Sequence, residues 1–576
     1  MTWKYLKKYL HFAVLASLFM VLEVAVDLWQ PRLMAKIVDE GILGVSGGGV
    51  SDLGIVTGTG IRMVLIVMAG GLCGILSGVF TNICAQNFGN DIRKDVFRRI
   101  MHFSFAQTDD FSVGSLITRT TSDVTQVQSM VSQMIRGFVR CGMFFIAGSA
   151  ALLTLAVDFG TVIAVALPLI LVEIAFVLWK SNPLFLLLQK RMDTMNTVIQ
   201  ENVASARVVK AYVQEDKEIR RFGASNQALA DTQLRVLILL SWMRPVMNIV
   251  LNLATVAVIY IGSLRVQDGS ILPGTVMAAI TYLSQILNGM MMLAMIFQNV
   301  TRGLTSSKRL REVLDSASDI ADGNGQPPQA RGEIAFEGVS FCYPDSETPV
   351  LHDITLHVAP GETLAVIGAT GCGKSSLVNL IPRFYDVTAG RVCVDGMDVR
   401  EYPVAALRER IAVVLQKSEL FTRTIRENIA VGCPDATDAE ISAAARAAQA
   451  EAFILQQPEG YQTPVAESGM SLSGGQRQRI AVARALVKPA SVLILDDATS
   501  ALDFRTEAAL QEALRTQYAD RTKIIIAQRI SSVRRADRIA VIDSGTVIDC
   551  GTHEELQGRC GVYQEICRSQ LKEEDA

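Results

Sequence analysis

The residues most suited to chemistry form a glycine-rich loop in the second half of the chain. Residues 368–375 read G-A-T-G-C-G-K-S, a pattern whose backbone N–H groups curve around phosphates while its lysine reaches the β- and γ-phosphates. The apolar run Thr363–Ile367 predicts a strand before the loop, and a following helix would present its positive end to the anion. These features predict a nucleotide site that is contacted by Gly368, Thr370, Gly371, Cys372, Gly373, Lys374, Ser375 and Ser376.

A second apolar run ends in a carboxylate. Val492–Leu495 leads directly into Asp496, and an aspartate at the carboxyl end of a buried strand suits Mg²⁺ beside bound phosphates. Without the glycine-rich loop, a core strand that ends in a capping aspartate would be the better interpretation. With it, the hydroxyl of Ser375 and the carboxylate of Asp496 are the predicted Mg²⁺ ligands.

A serine and two glycines stand between these two features. Residues Leu472–Gln476 read L-S-G-G-Q, and a helix that starts there can cap an anion. Such a turn is usually only a loop. This motif lies about a hundred residues after the phosphate loop and about twenty before Asp496, and that position makes it a specific signal rather than an ordinary loop.

Composition divides the 576-residue chain into two unlike parts. Half of the residues are hydrophobic and 19% are charged, which excludes a disordered protein and makes an ordinary soluble enzyme improbable. The net charge of −3 combines +6 for residues 1–332 with −9 for residues 333–576, so we expect no nucleic-acid partner. Residues 1–314 are predicted to form a membrane domain, residues 315–332 a linker and residues 333–576 a nucleotide-binding domain.

Six apolar runs approach the ~20 residues that a helix needs to cross a bilayer. They cover residues 12–29, 63–84, 137–157, 161–179, 246–264 and 276–300. Residues 180–245 carry ten Lys and Arg, whereas the turn between the third and fourth runs carries none. Positive loops stay inside, so we predict a multi-pass protein of the inner (cytoplasmic) membrane with both termini and the nucleotide-binding domain in the cytoplasm.

The two long basic loops are predicted to be helical extensions of the spans. Few glycines or prolines interrupt them, and ~20 residues of helix would project ~30 Å. Turns are expected near Gln107–Gly114 and Ala211–Lys217. A solvated charged domain is the alternative.

Ionisable residues within the spans allow two interpretations. Glu23 and Asp27 share one helix face, and Glu173 lies in the fourth run. They form either an acidic patch for a cationic substrate or a set of packing and water-exposed positions. The methionines of Met290–Met295 belong either to an adaptable pocket or to a lipid-facing or core surface.

Together, these motifs resemble the ATP-binding cassette (ABC) transporters, and the chain resembles a half-transporter of the multidrug-exporter type over nearly all of its length. The resemblance implies six membrane helices with long cytoplasmic extensions, followed by an α/β P-loop ATPase domain that binds ATP and Mg²⁺. It implies that Tyr343 stacks on adenine and that Gln416 contacts Mg²⁺ and the attacking water. The implied signature loop comprises Ser473, Gly474, Gly475 and Gln476.

The resemblance also implies a second subunit. In this family two ATPase domains enclose two ATP molecules, and each site pairs one domain's phosphate loop with the other's signature. Glu467 matches a residue that communicates with the cytoplasmic loops, and Ser500–Asp503 match a loop that crosses the dimer interface. The two predicted cytoplasmic turns fall where the family's coupling helices lie.

Two positions depart from the family pattern. Asp497 stands where the catalytic base is normally glutamate, and Gln528 stands where the switch residue is normally histidine. Aspartate is one methylene shorter, and glutamine can neither carry a positive charge nor shuttle a proton. The site built on this chain's own phosphate loop should therefore bind ATP and hydrolyse it slowly.

This asymmetry resembles one subunit of bacterial heterodimeric multidrug exporters. We therefore predict a heterodimeric exporter of small amphipathic molecules, drugs or lipids, in contact with membrane lipid. The alternatives are a homodimeric exporter of lipid or peptide, an importer with the exporter fold, and an ATP-gated channel or regulator.

Overall fold

A computed structural model describes residues 2–45, 50–316, 319–344, 346, 348–466 and 469–574. Glu467, assigned a communicating role from the resemblance, lies outside these residues. The chain forms two compact units, Met1–Met101 with Gly114–Ser316 and His102–Val113 with Ala317–Ala576.

Long helices make up the first unit, and the short helix α4 between them belongs to the second. Helices α1–α12 are Thr2–Leu6, Leu10–Lys36, Leu53–Met101, Phe105–Asp110, Val113–Thr118, Val124–Gln133, Val139–Leu155, Phe159–Ala204, Ala206–Ala211, Glu215–Ser241, Met243–Gln267 and Pro273–Asp315. A 3-10 turn at Lys7–Tyr9 and π-helical segments at Ile37–Ile42, Arg119–Asp123 and Met134–Phe138 continue some of them.

Six continuous helices in the described residues are long and apolar enough to cross a membrane. Spans 1–6 are Trp3–Ile42, Leu53–Met101, Val113–Leu155, Phe159–Ala204, Glu215–Gln267 and Pro273–Asp315. Spans 2 to 5 run well beyond the hydrocarbon thickness, so the loops predicted as helical extensions are helical. Between spans 4 and 5, α9 and the residues after it form the second predicted turn.

The core of the first unit joins spans 1, 3, 4, 5 and 6. Met20, Phe159, Val258, Tyr282 and Leu283 are each fully buried there. The Tyr282 hydroxyl, on span 6, donates to the Leu28 carbonyl on span 1 at 2.5 Å. A buried tyrosine needs such a partner, so this bond fixes span 6 against span 1.

Two β-sheets and the remaining helices form the second unit. Strands β1–β10 are Ile334–Phe341, Leu351–Val358, Thr363–Ile367, Ala389–Val394, Met397–Asp398, Ile411–Val414, Val492–Asp496, Thr522–Ile526, Arg538–Asp543 and Thr546–Gly551. Helices α13–α22 are Lys374–Asn379, Val404–Glu409, Ile425–Ala430, Asp438–Ala447, Glu451–Leu455, Gly474–Leu486, Phe504–Gln517, Ile530–Val533, His553–Arg559 and Gly561–Glu574.

The larger sheet has the order β10-β9-β3-β8-β7-β6, and its five strands from β9 to β6 are parallel. Alternate residues of these strands enter two different apolar clusters, as in a sheet that is covered on both faces. The smaller sheet, β2-β1-β4-β5, is antiparallel. The parallel register places the carboxyl ends of β3, β7 and β8 at the same edge of the sheet. The predicted site residues stand at or just after these strand ends.

Candidate functional site

The phosphate loop follows β3 and leads into α13, as its spacing predicts. Gly371 and Gly373 have φ angles of 87° and 98°, a left-handed backbone that favours glycine. A β-carbon on Gly373 would stand 3.1 Å from the carbonyl oxygen of Val350. The loop is therefore a tight cradle that a larger side chain would distort. Within it, Thr370 is exposed and the Cys372 thiol is buried.

The side chain of Lys374 folds back onto the phosphate loop. Its ammonium donates to the carbonyls of Gly368 at 2.9 Å and Ala369 at 2.7 Å, and the residue is 9% exposed. A cation that is held at the mouth of a loop of backbone N–H groups suits a phosphate chain. The residues present thus fit the polyphosphate of a nucleotide.

Ser375 and Asp496 meet across the sheet edge. The Ser375 hydroxyl donates to the Asp496 carboxylate at 3.0 Å, and burial raises the pKa of Asp496. A hydroxyl and a carboxylate side by side are the oxygen ligands that Mg²⁺ prefers. Gln416, the third predicted ligand, is exposed just after β6, the strand next to β7.

Asp497 and Gln528 form a pair, one position beyond the end of β7 and two positions beyond the end of β8. The Gln528 side-chain amide donates to the Asp497 carboxylate at 3.1 Å, while the Asp497 N–H donates to the Ile526 carbonyl at 3.0 Å. Asp497 has a φ of 51° and is 9% exposed, and burial raises the pKa of its carboxyl group. The two residues that depart from the family pattern therefore contact each other.

Tyr343 lies beside the phosphate loop. Its hydroxyl shares a 2.9 Å hydrogen bond with the Ser376 hydroxyl, and its ring packs edge-on against Phe341 and Tyr385. Aromatic neighbours hold the ring in place, as an adenine-stacking residue requires.

The signature loop starts α18 as a capped helix. Ser473 accepts from the Gln476 N–H, and the Gln476 side chain accepts from the Ser473 N–H in return, a complete capping box. Within the described residues, no hydrogen bond joins this loop to the phosphate loop. The structure thus brings together Lys374, Ser375, Asp496, Asp497 and Gln528, and it places the signature elsewhere.

Sequence reasoning gave no role to Gln478, which connects these regions. It is 4% exposed, donates to the Asp497 carbonyl at 2.9 Å and accepts from the Ala501 N–H at 3.0 Å. Gln478 lies two residues past the signature, but nothing in the sequence indicates that its amide turns toward Asp497.

The first predicted cytoplasmic turn contains helix α4, which packs within the second unit. Phe105 stacks on Phe384 with ring centroids 4.1 Å apart, and the Tyr385 hydroxyl donates to Asp109 at 2.9 Å. Burial is the largest cause of the raised pKa of Tyr385, followed by the hydrogen bond to Asp109. The residues around Gln107 therefore contact the nucleotide-binding fold directly.

Charged groups within the spans have different environments. Arg140 on span 3 pairs with Glu23 at 3.2 Å and with Asp27 at 3.7 Å on span 1. Both carboxylate oxygens of Glu173 are buried without a hydrogen-bond partner among the described residues. In the methionine run, Met290 is 7% exposed and Met295 is 63% exposed, so the run has no single environment.

Comparison with known proteins identifies the family. Residues 14–291 match the model of the ABC transporter transmembrane region, and residues 351–500 match the model named ABC transporter. An uncharacterized ABC transporter ATP-binding protein of Bacillus subtilis, YfiB, is 37% identical over 99% of this chain and 98% of its own length. An ATP-dependent lipid A-core flippase of Syntrophus aciditrophicus is 34% identical over 89% of this chain and 86% of its own.

A solved structure agrees with these sequence relatives. A bacterial Atm1-family ABC exporter with ATP bound superposes with a TM-score of 0.82, at 27% identity, over 98% of each chain. These matches confirm the predicted fold class and the multi-pass membrane assignment. They also confirm an ATP-binding domain whose ATP hydrolysis is coupled to transport, in a family that works as dimers with a transported substrate. This chain belongs to the ABC transporter family, as an exporter subunit whose six-helix membrane domain is fused to its ATPase domain.

Proposed function

We propose that this chain is one subunit of a heterodimeric exporter that moves small amphipathic molecules, drugs or lipids, out of the cytoplasm. Its own phosphate loop binds ATP with Mg²⁺ but hydrolyses it slowly, and its signature completes a competent site on the partner. The observation that carries the proposal is the Asp497–Gln528 pair at the carboxyl edge of the sheet.

Nucleotide binding has its full set of residues. Lys374 and the loop from Gly368 to Ser376 would hold the phosphates, Tyr343 would stack on the base, and Ser375, Gln416 and Asp496 would hold Mg²⁺. Bound Mg²⁺ would offset phosphate charge.

Hydrolysis lacks its usual residues. A general base must reach within about 3 Å of the proton that it removes, and a misplacement of about 1 Å can cost about 10²-fold. The Asp497 carboxylate is one methylene short, and it accepts a hydrogen bond from the Gln528 amide. Because this amide carries no charge and has no transferable proton, Gln528 can hydrogen-bond a γ-phosphate but promotes its cleavage poorly.

The intact signature favours a different partner rather than a second copy. The capping box at Ser473 and Gln476 is complete, so this chain offers a well-formed signature. Two copies would pair two weak sites and leave no efficient motor. A partner with glutamate and histidine at the positions that correspond to Asp497 and Gln528 would use this signature for rapid ATP turnover.

The spans and the relatives support the proposed substrate class. Arg140 pairs with both Glu23 and Asp27 and offsets part of their charge, which argues against a strong acidic site for cations. Relatives are named a lipid A-core flippase and, in Mycobacterium bovis, a fatty acid ABC transporter, and both names describe amphipathic cargo. Loop charge supports an inner-membrane location with the ATPase domain and both termini in the cytoplasm.

ATPase assays of the purified full-length chain test the proposal. We expect very low turnover from the chain alone and robust turnover with its partner. Rapid hydrolysis by the lone chain that is abolished by Lys374→Ala would overturn the heterodimer. Flux into inside-out vesicles, with and without ATP, separates an exporter from an importer or a gated channel.

A further inference from the structure

Helix α22 contacts the backbone of Gln528 and of Ile530 through the side chain of Gln570. The Gln570 side-chain amide donates to the Gln528 carbonyl at 2.6 Å, and its oxygen accepts from the Ile530 N–H at 2.8 Å. Rotating the amide by half a turn would place oxygen against oxygen and nitrogen against nitrogen. Only one orientation satisfies both groups, so the contact is directional.

Helix α22 is anchored well enough to serve as a fixed point. Tyr563 and Cys567 are 0% and 6% exposed in the core of the ATPase unit, and the Tyr563 hydroxyl shares a 2.7 Å hydrogen bond with His553. Residues 563, 567 and 570 lie on one helix face. The face that holds α22 in place therefore also carries Gln570.

Gln528 is thus held at two points. Its side chain donates to Asp497 at 3.1 Å, and its carbonyl is fixed by Gln570. Asp497, Gln528 and Gln570 line one cavity of about 1070 Å³. A shift of the segment 528–530 would carry the Gln528 side chain away from Asp497.

We propose that Gln570 is a positioning residue of the ATP site, which sets the place of the Gln528 side chain through the backbone. This proposal rests on the proposed role of Gln528 at the switch position. It assigns the C-terminal helix a part in nucleotide chemistry: α22 fixes the segment that faces the γ-phosphate, and it does so without touching nucleotide.

Hydrogen exchange in the full-length protein tests the contact. In Gln570→Ala the amides of residues 528–532 should exchange about tenfold faster, because Ile530 loses its acceptor and the segment loses its anchor. Gln564→Ala is the matched control, because Gln564 lies on the same helix and its amide bonds the Gln557 carbonyl at 2.8 Å. Unchanged exchange in Gln570→Ala, or equal acceleration in both variants, would overturn the proposal.

Turnover tests the positioning role. In a chain that carries Asp497→Glu and Gln528→His, adding Gln570→Ala should lower kcat about tenfold and leave KM for ATP within twofold. The isosteric Gln570→Glu keeps the acceptor but cannot donate to the Gln528 carbonyl, so it should lower kcat as well and serves if the alanine variant folds poorly. Faster exchange with unchanged kcat would overturn positioning.

The two proposals fail separately. If Asp497→Glu with Gln528→His does not raise turnover, the proposed cause of slow hydrolysis fails. The exchange measurement then still decides whether Gln570 fixes the segment.

Discussion

The residues that would hold the nucleotide and the residues that would cleave it lie next to each other, yet only the first group matches the pattern that the resemblance implies. Lys374, Ser375 and Asp496 retain the full pattern of a phosphate and Mg²⁺ site, with Ser375 already hydrogen-bonded to Asp496. One residue further, Asp497 pairs with Gln528 in place of the usual base and switch residues. Under the proposed function, one strand end keeps nucleotide binding while it loses the groups for hydrolysis, because the two tasks depend on different side chains.

The largest effect should come from the binding region. Lys374→Ala should weaken ATP binding by about 10²-fold or more, because it removes the cation that is enclosed by the phosphate loop. Equilibrium binding of a fluorescent ATP to the full-length protein measures this. Lys417→Ala is the control, since Lys417 is exposed and pairs only with Glu419 among the described residues. Equal ATP affinity in the two variants would show that Lys374 does not hold the nucleotide.

Restoring the cleavage region should give the next largest effect. Asp497→Glu with Gln528→His should raise ATP turnover at this chain's own site by about 10²-fold, because it returns a base of full length and a side chain that can be charged. Steady-state ATPase measurements with the partner present would show the gain. ATP affinity should change little. A gain in ATP affinity without a gain in turnover would show that Asp497 and Gln528 act in binding and not in cleavage.

The signature should act on the partner's site and not on this chain's own. Ser473→Ala should lower turnover of the heterodimer about tenfold and leave ATP binding at Lys374 unchanged. It also removes a helix cap, which costs about 1 kcal/mol. Thr437→Ala removes an equivalent capping box from α16 and controls for that cost. The same drop in turnover from both variants would reduce the signature's role to stability.

The smallest effect is expected at Gln478, which lies between the two regions. Gln478→Ala removes its bonds to the Asp497 carbonyl and the Ala501 N–H, and it should lower turnover a few-fold because Asp497 loses one support. Gln227→Ala is a suitable control, since its amide bonds the Asp231 carboxylate within α10 of the first unit. Michaelis–Menten analysis should assign the loss to kcat.

Local sequence patterns predicted the parts of the site that depend on local chemistry. Thr363–Ile367 forms β3 with the predicted ends, and the apolar run before Asp496 forms β7. Glycines, an apolar run and a capping serine determine the local structure only of residues within a few positions of them in the sequence. Their consequences can therefore be read from the sequence alone.

Contacts between distant residues were beyond that reasoning. Arg140 lies within the third apolar run and had no predicted role, but it pairs with both Glu23 and Asp27. Gln570 lies 42 residues from Gln528, and no periodicity signals its contact. The roles of the individual site residues, the domain boundaries and the unlike partner stay predictions.

The central claim is that this chain's own site retains ATP without cleaving it. Photolabelling the assembled transporter with azido-ATP tests it, because a base stacked on Tyr343 would attach to this chain, and the two subunits separate on a gel. Parallel samples carry the radiolabel on the α- or the γ-phosphate. We expect this chain's band to keep both labels after several turnovers, while the partner's band keeps only the α-label. Loss of the γ-label from this chain at the partner's rate would contradict the account.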